Sequence, residues 1–297
     1  MKKGIVVGVL AVVVLGISGA AFATDVKGIT MVSVTAGQFT PGDTMGFPLT
    51  ISKSGSYKLL ENITVPNANT TAILVTTDDV TIDLNGFSIL GPCVCTGAGP
   101  TLVCSPTGTG VGILAATNLK NIKVYNGTVK GMGNSGISVG QDSIIENVRA
   151  LSNGLAGILV EEGVVNGCTS SSNNTVGIAV YNGIVTGSTA TNNSMHGISL
   201  INGIVSGSRA IVNAYHGIEV GNIGTVNGNY ASANGWDGIR VTKGTVNGNS
   251  AVGNSQYGLE LGGLAGYSNN VLSGNTAGNV TGGVQIGDNL CEGILCP

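Results

Sequence analysis

Apolar residues in the second half of the chain come in short bursts, alternating with small or polar residues and never running long enough for a helix. The phrase Gly-Ile/Leu-x-Val/Leu returns at Gly136, Gly157, Gly177, Gly197, Gly217, Gly238 and Gly258, in steps of 20 or 21 residues. A second burst follows in each period, as in "GIVTGSTATNN" from Gly183, "GIVSGSRAIVN" from Gly203 and "GTVNGNYASAN" from Gly224. Asn closes the units at Asn153, Asn173, Asn193, Asn213, Asn234, Asn254 and Asn275. Alternation of period two, cut by Gly and Asn, predicts short strands joined by tight turns, with no helix. A unit of about twenty residues cannot bury its own apolar face, so successive units must stack.

Coaxial stacking gives an all-β parallel β-helix of about ten rungs, roughly 4.8 Å apart. Ile198, Ile218 and Ile239 then form one inward column, and Leu200, Val220 and Val241 another. Val185, Val205, Val226 and Val246 make a third, and Ala190, Ala210, Ala231 and Ala251 a fourth. The Asn column reads as an amide ladder at a turn. Gly before Ile marks a corner that needs positive φ or has no room for a Cβ. Cys168, Ser188, Ser208, Asn229 and Asn249 share one slot, assigned here to the outside.

The N-terminus breaks this pattern. Lys2 and Lys3 precede an apolar run from Ile5 to Ile17, then Ala21-Phe22-Ala23, the layout of a secretory signal peptide cleaved after Ala23. The expected organisation is a signal peptide (1–23), an N-terminal cap (24–60), the solenoid (61–290) with a Cys-bearing loop (92–109), and a stapled tail (291–297). Export places the protein outside the cell or at its surface, with no membrane span after cleavage. Six cysteines in such a chain suggest three disulfides. Cys291 and Cys296 would close the tail, and Cys168 could accept one of Cys93, Cys95 and Cys104. Zinc at C-x-C-x8-C is the weaker reading, because no partner cluster accompanies it. A net charge of −3 with 9% charged residues offers no footprint for nucleic acid.

The repeats resemble those of right-handed parallel β-helix proteins, the superfold of pectate lyases, polygalacturonases and phage tailspikes. "ISKSGSYKLLENITVPNANTTAILVTTDDVTIDLNGFSILG" is similar to the first rungs of secreted bacterial members. The resemblance spans roughly residues 49 to 290 and implies the fold; function does not follow from it, because the superfold hosts enzymes, binders and scaffolds alike. It implies calcium as the cofactor only if the protein is a lyase. The acidic calcium cluster of the lyases and the aspartate trio of the polygalacturonases are both missing. Glu161, Glu162, Asp78 and Asp79 read as turn residues and Asp83 as outward-facing.

One flank stands out. Both histidines, His196 and His216, are one period apart, and the same slot continues with Asp237 and Tyr257. The neighbouring slot reads Met195, Tyr215, Trp236 and Gln256, and the outward slot of the next strand reads Ser199, Glu219, Arg240 and Glu260. On the preceding rungs the histidine slot holds only Val176 and Ala156. Three readings compete. His196, Tyr215, His216, Trp236, Asp237 and Tyr257 could bind a polysaccharide or cell-surface glycan lying along the axis. Glu219 and Glu260, with Asp237 and Arg240, could serve a lyase or glycoside hydrolase, although Arg240 would hold both glutamates ionised. Or the charges form an inert ladder on a structural or adhesive stalk, with the histidines as solvated turn residues. The cluster as a whole favours non-catalytic binding. A metal at His196, His216 and Asp237 is disfavoured, since ligands on three rungs converge with difficulty, so neither a metal nor a cofactor is expected.

Overall fold

The computed structural model describes residues 26–115 and 118–296, so the expected signal peptide at 1–23 lies outside the described residues. The chain winds into a parallel β-solenoid. Its clearest ladder runs Leu49, Ile73, Ile113, Ile137, Ile158, Ile178, Ile198, Ile218, Ile239, Leu259 and Val280, which makes eleven rungs. Two further ladders complete each turn, one through Val185, Val205, Val226 and Val246, the other through Ala190, Ala210, Ala231 and Ala251. In the rung Ile198–Ser206 with Arg209–Ile211, the interior receives Ile198, Leu200, Val205 and Ala210, none more than 2% exposed. Each such Ile, Leu or Val contributes about 1.5–3 kcal/mol of transfer free energy, an increment repeated rung after rung.

Polar ladders line two corners of the interior. Asn193 illustrates the first: its backbone N–H and Nδ2 both donate to Asn213 Oδ1, at 3.1 and 2.9 Å, and Nδ2 also donates to the Ser170 carbonyl at 3.2 Å. The same pattern repeats from Asn153 to Asn275. The second ladder corrects the sequence reading. Cys168, Ser188, Ser208, Asn229 and Asn249 face inward, not outward, each at most 2% exposed, and every backbone N–H donates to the side chain one rung on. A serine or asparagine looks outward by polarity, yet here it satisfies backbone groups that the turn would otherwise leave unpaired in a dry interior.

The glycine before each Ile is a close-approach position. A Cβ on Gly197 would lie 2.6 Å from Asn213 Nδ2 and 2.7 Å from the Gly217 carbonyl oxygen, so the ladder itself excludes a side chain. Left-handed backbone falls elsewhere, at the corner just before the Asn ladder: Ser172, Asn192, Val212 and Ala233 have φ near +55°.

Three further expectations are revised. A short helix, Met31–Ala36, capped by Thr30, sits at the N-terminal end, where no helix was expected. Among the described residues, which include all six cysteines, there are two disulfides, Cys95–Cys104 and Cys291–Cys296, and not three; Cys93 and Cys168 are free and buried. Cys168 cannot take a loop cysteine because its slot faces the core. The loop itself forms a small hairpin, Val94–Thr96 against Val103–Ser105, and reaches across the rungs to Asn192, whose Oδ1 accepts from the Gly99 N–H at 2.8 Å.

Candidate functional site

The flank carrying the histidines is a turn between the Asn ladder and the strand that starts at Ile198. Its backbone continues the stacking: Tyr215 N–H donates to Met195 O, Trp236 to Tyr215 O and Gln256 to Trp236 O, each at 3.1 or 3.2 Å. Gly197 and Gly217 likewise donate to His216 O and Asp237 O. Because the turn is laddered like a strand, its side chains stand in register and the rings stack. His196 lies on His216 with centroids 5.2 Å apart and planes 9° apart, and Tyr215 on Trp236 at 4.4 Å and 10°. His196 meets the Tyr215 ring, and His216 the Trp236 ring, edge to face.

The charged groups close into a circuit over four rungs. His196 Nε2 is 3.4 Å from Glu219 Oε2; Glu219 Oε1 accepts from Arg240 Nη1 at 2.8 Å; Arg240 Nε is 2.9 Å from Glu260 Oε2. On the other side, His216 Nδ1 is 3.0 Å from Asp237 Oδ2, and Asp237 Oδ1 accepts from the Tyr257 N–H at 2.8 Å. Ser199, an outward residue assigned no role from sequence, donates to Glu219 Oε2 at 3.3 Å.

Burial differs sharply around the circuit. His216 and Asp237 are only 3% and 1% exposed, whereas the Arg240 and Glu260 side chains are 40% and 37% exposed. The histidines are therefore not solvated turn residues. Burial, opposed by Glu219 and reinforced by His216 and Arg240, holds His196 below the usual histidine range. Burial works against ionisation of Glu219, but His196 and Arg240 outweigh it and hold the carboxyl low. Burial likewise opposes ionisation of Asp237, and contacts from His216 and the Tyr257 amide overcome it. Glu260 moves the other way: burial and the neighbouring Asp237 raise it despite Arg240. Arg240, with His196, therefore outweighs burial at Glu219, whereas at Glu260 burial and then Asp237 outweigh Arg240.

The flank is shallow. A cavity of about 140 Å³ opens beside Arg240, Val241, Thr242, Glu260, Leu261 and Gly262, smaller than the usual small-molecule pocket. Of the six binding candidates, Trp236 is 40% exposed and His196, Tyr215 and Tyr257 are half-buried on this face, whereas His216 and Asp237 are buried beneath it. The structure also answers the geometric objection to a metal. Donor atoms of His216, Asp237 and Glu260, from three successive rungs, lie within 4.8 Å of one another, while His196 faces Glu219 instead. The pairing of His216 with Asp237 was accessible from the shared slot; the lean of Glu260 toward them was not, because spacing fixes a column and leaves the rotamer open. At the hairpin, Cys95 and Cys104 are bonded to each other, which takes two of the three sulfurs from a zinc reading.

The family model for the right handed beta helix region matches residues 50–204, more than half of the 297 residues. The chain belongs to that family. A comparison with curated protein sequences gives no match. Among solved structures, the β-helix is similar to the A-module of a mannuronan C-5 epimerase from Azotobacter vinelandii, with a TM-score of 0.57, 13% identity, and 92% of this chain and 94% of that one covered. It is also similar to a periplasmic alginate epimerase, with a TM-score of 0.52, 14% identity, and 82% and 76% covered. At these identities the likeness is one of fold.

Proposed function

We propose that this β-helix is an exported protein that binds a polysaccharide across the rungs carrying His196 to Tyr257, without turning it over. The observation that carries this reading is the concentration of Tyr215, Trp236 and Tyr257 with the half-exposed Arg240 and Glu260 on one flank over successive rungs, among them the chain's one tryptophan. A shallow face suits an extended chain better than a single enclosed sugar. Tyr215 and Trp236 spend one ring face on each other, so sugar contacts fall on the outward ring edges. Arg240 and Glu260 supply hydrogen bonds to hydroxyls or carboxylates. The fold-level likeness to two epimerases of alginate-type polymers supports a polysaccharide as the ligand class. The two disulfides and the signal-like N-terminus support export.

Affinity electrophoresis or calorimetry against alginate, polygalacturonate and neutral glucans tests this reading. Wild-type protein should be retarded by at least one polymer, and Trp236→Ala and Arg240→Ala should each weaken the effect. Absence of binding to every polymer, or undiminished binding by both variants, refutes it. One observation favours a second reading, a lyase or hydrolase. Glu219 is lowered and Glu260 raised from the ordinary carboxylate value, the directions in which a base and an acid diverge. Release of new reducing or unsaturated ends, abolished in Glu219→Gln, would establish it.

A further inference from the structure

We infer that His216, Asp237 and Glu260 form a binding site for a divalent transition-metal ion, of the Mn²⁺ or Zn²⁺ class, set into the flank. The inference is independent of polysaccharide binding and stands on four observations.

The first is convergence, with donor atoms of all three residues within 4.8 Å of one another. At metal–ligand distances of about 2.0–2.2 Å a tetrahedral ion needs donors about 3.3 Å apart, which small side-chain rotations supply. The second is an orphaned group. His216 is only 3% exposed, and its Nδ1, turned toward Asp237 Oδ2 at 3.0 Å, lacks the alignment of a hydrogen bond and has no other partner among the described residues. A buried ring nitrogen without a partner is costly, and coordination satisfies it.

Third, each carboxylate is already held by one oxygen. Tyr257 N–H binds Asp237 Oδ1, and Arg240 Nε lies 2.9 Å from Glu260 Oε2, leaving Asp237 Oδ2 and Glu260 Oε1 for an ion. Outer hydrogen bonds of this kind orient metal ligands. Fourth, charge balances: one neutral imidazole with two carboxylates offsets a dication, and the Glu260 side, 37% exposed, gives the route of entry.

One nitrogen and two carboxylates suit manganese or zinc, with remaining positions open to water or a ligand. Calcium, which takes six to eight oxygens, does not fit this set.

The test uses protein stripped with a chelator and dialysed. Mn²⁺ binding is followed by loss of the free-ion EPR signal, and Zn²⁺ binding by competition with a chromophoric chelator. One ion per chain is expected, with affinity falling at least tenfold in Glu260→Gln and in His216→Asn, and unchanged in Glu162→Gln, an exposed carboxylate on an earlier rung. Circular dichroism checks that each variant is folded. Should His216→Asn fail to fold, the half-exposed Glu260 decides alone. Absence of saturable one-to-one binding of both ions, or wild-type affinity in folded Glu260→Gln, overturns the assignment.

Discussion

Asn213→Ala removes one step of the inner amide ladder, and the structure sets the size of the effect. Asn213 Oδ1 accepts from the Asn193 N–H and Nδ2 at 3.1 and 2.9 Å, and its own Nδ2 donates to Ala190 O and Asn234 Oδ1 at 3.1 and 3.0 Å. After truncation, Asn193 Nδ2 keeps the Ser170 carbonyl and Asn234 Oδ1 keeps the Asn213 N–H, but the Asn193 N–H loses its only side-chain acceptor. The site is 1% exposed, so water does not replace the amide. An orphaned buried donor costs about 1–3 kcal/mol, and the weakened bonds with the small void add about 1–2, for a total of about 2–5 kcal/mol. Asn202→Ala deletes a step of an outer amide row, its Nδ2 donating to Asn182 Oδ1 at 2.9 Å and its Oδ1 accepting from Asn222 Nδ2 at 2.9 Å and the Ile223 N–H at 3.4 Å, all on the exposed side, where water substitutes; its effect should stay within about 0.5 kcal/mol. Urea unfolding followed by far-UV circular dichroism compares the two. Solenoid repeats couple mainly to their neighbours, so hydrogen exchange should show the loss centred on the rungs of Asn193 and Asn234. Equal midpoints for the two variants would refute the claim that the ladder satisfies otherwise unpaired backbone.

Acid should destabilise the fold from the histidine range downward. With its folded value below the ordinary one near 6.5, His196 stays neutral while the unfolded chain takes up a proton, so stability falls as pH drops through about 6.5. Glu219 and Asp237, held low, are lost later, while raised Glu260 works in the opposite sense between its unfolded and folded values; a flat melting temperature from pH 7.5 to 5 would contradict this. Cys168, at 1% exposure and with burial pushing its thiol up to about 11, should resist iodoacetamide in the native protein and react after unfolding, as mass spectrometry would show. Val212→Asn should stabilise by about 1 kcal/mol, because a β-branched residue occupies a left-handed corner that Asn192 fills one rung earlier; an unchanged or lower urea midpoint would count against that strain.

The repeat alone determined the solenoid. A strict spacing of 20 or 21 residues forces stacking, and the apolar alternation selects Ile198, Leu200, Val205 and Ala210 for the interior. Equivalent residues on successive rungs must then stand one above another, so the gathering of His196, His216, Trp236 and Arg240 on one flank was legible too. Polarity misled at the slot of Cys168 and Ser208. Hydrophobic patterning cannot show that a polar residue is inside when its task is to pair backbone groups, and only the tertiary structure revealed the second inner ladder. The short helix Met31–Ala36 and the reach of the hairpin to Asn192 also fall outside the repeat, where spacing carries no information. The circuit of charges was decided by side-chain lean between rungs. Glu260 turns back toward Asp237 while still holding Arg240, and that choice depends on burial and neighbouring charge, which a linear pattern does not contain.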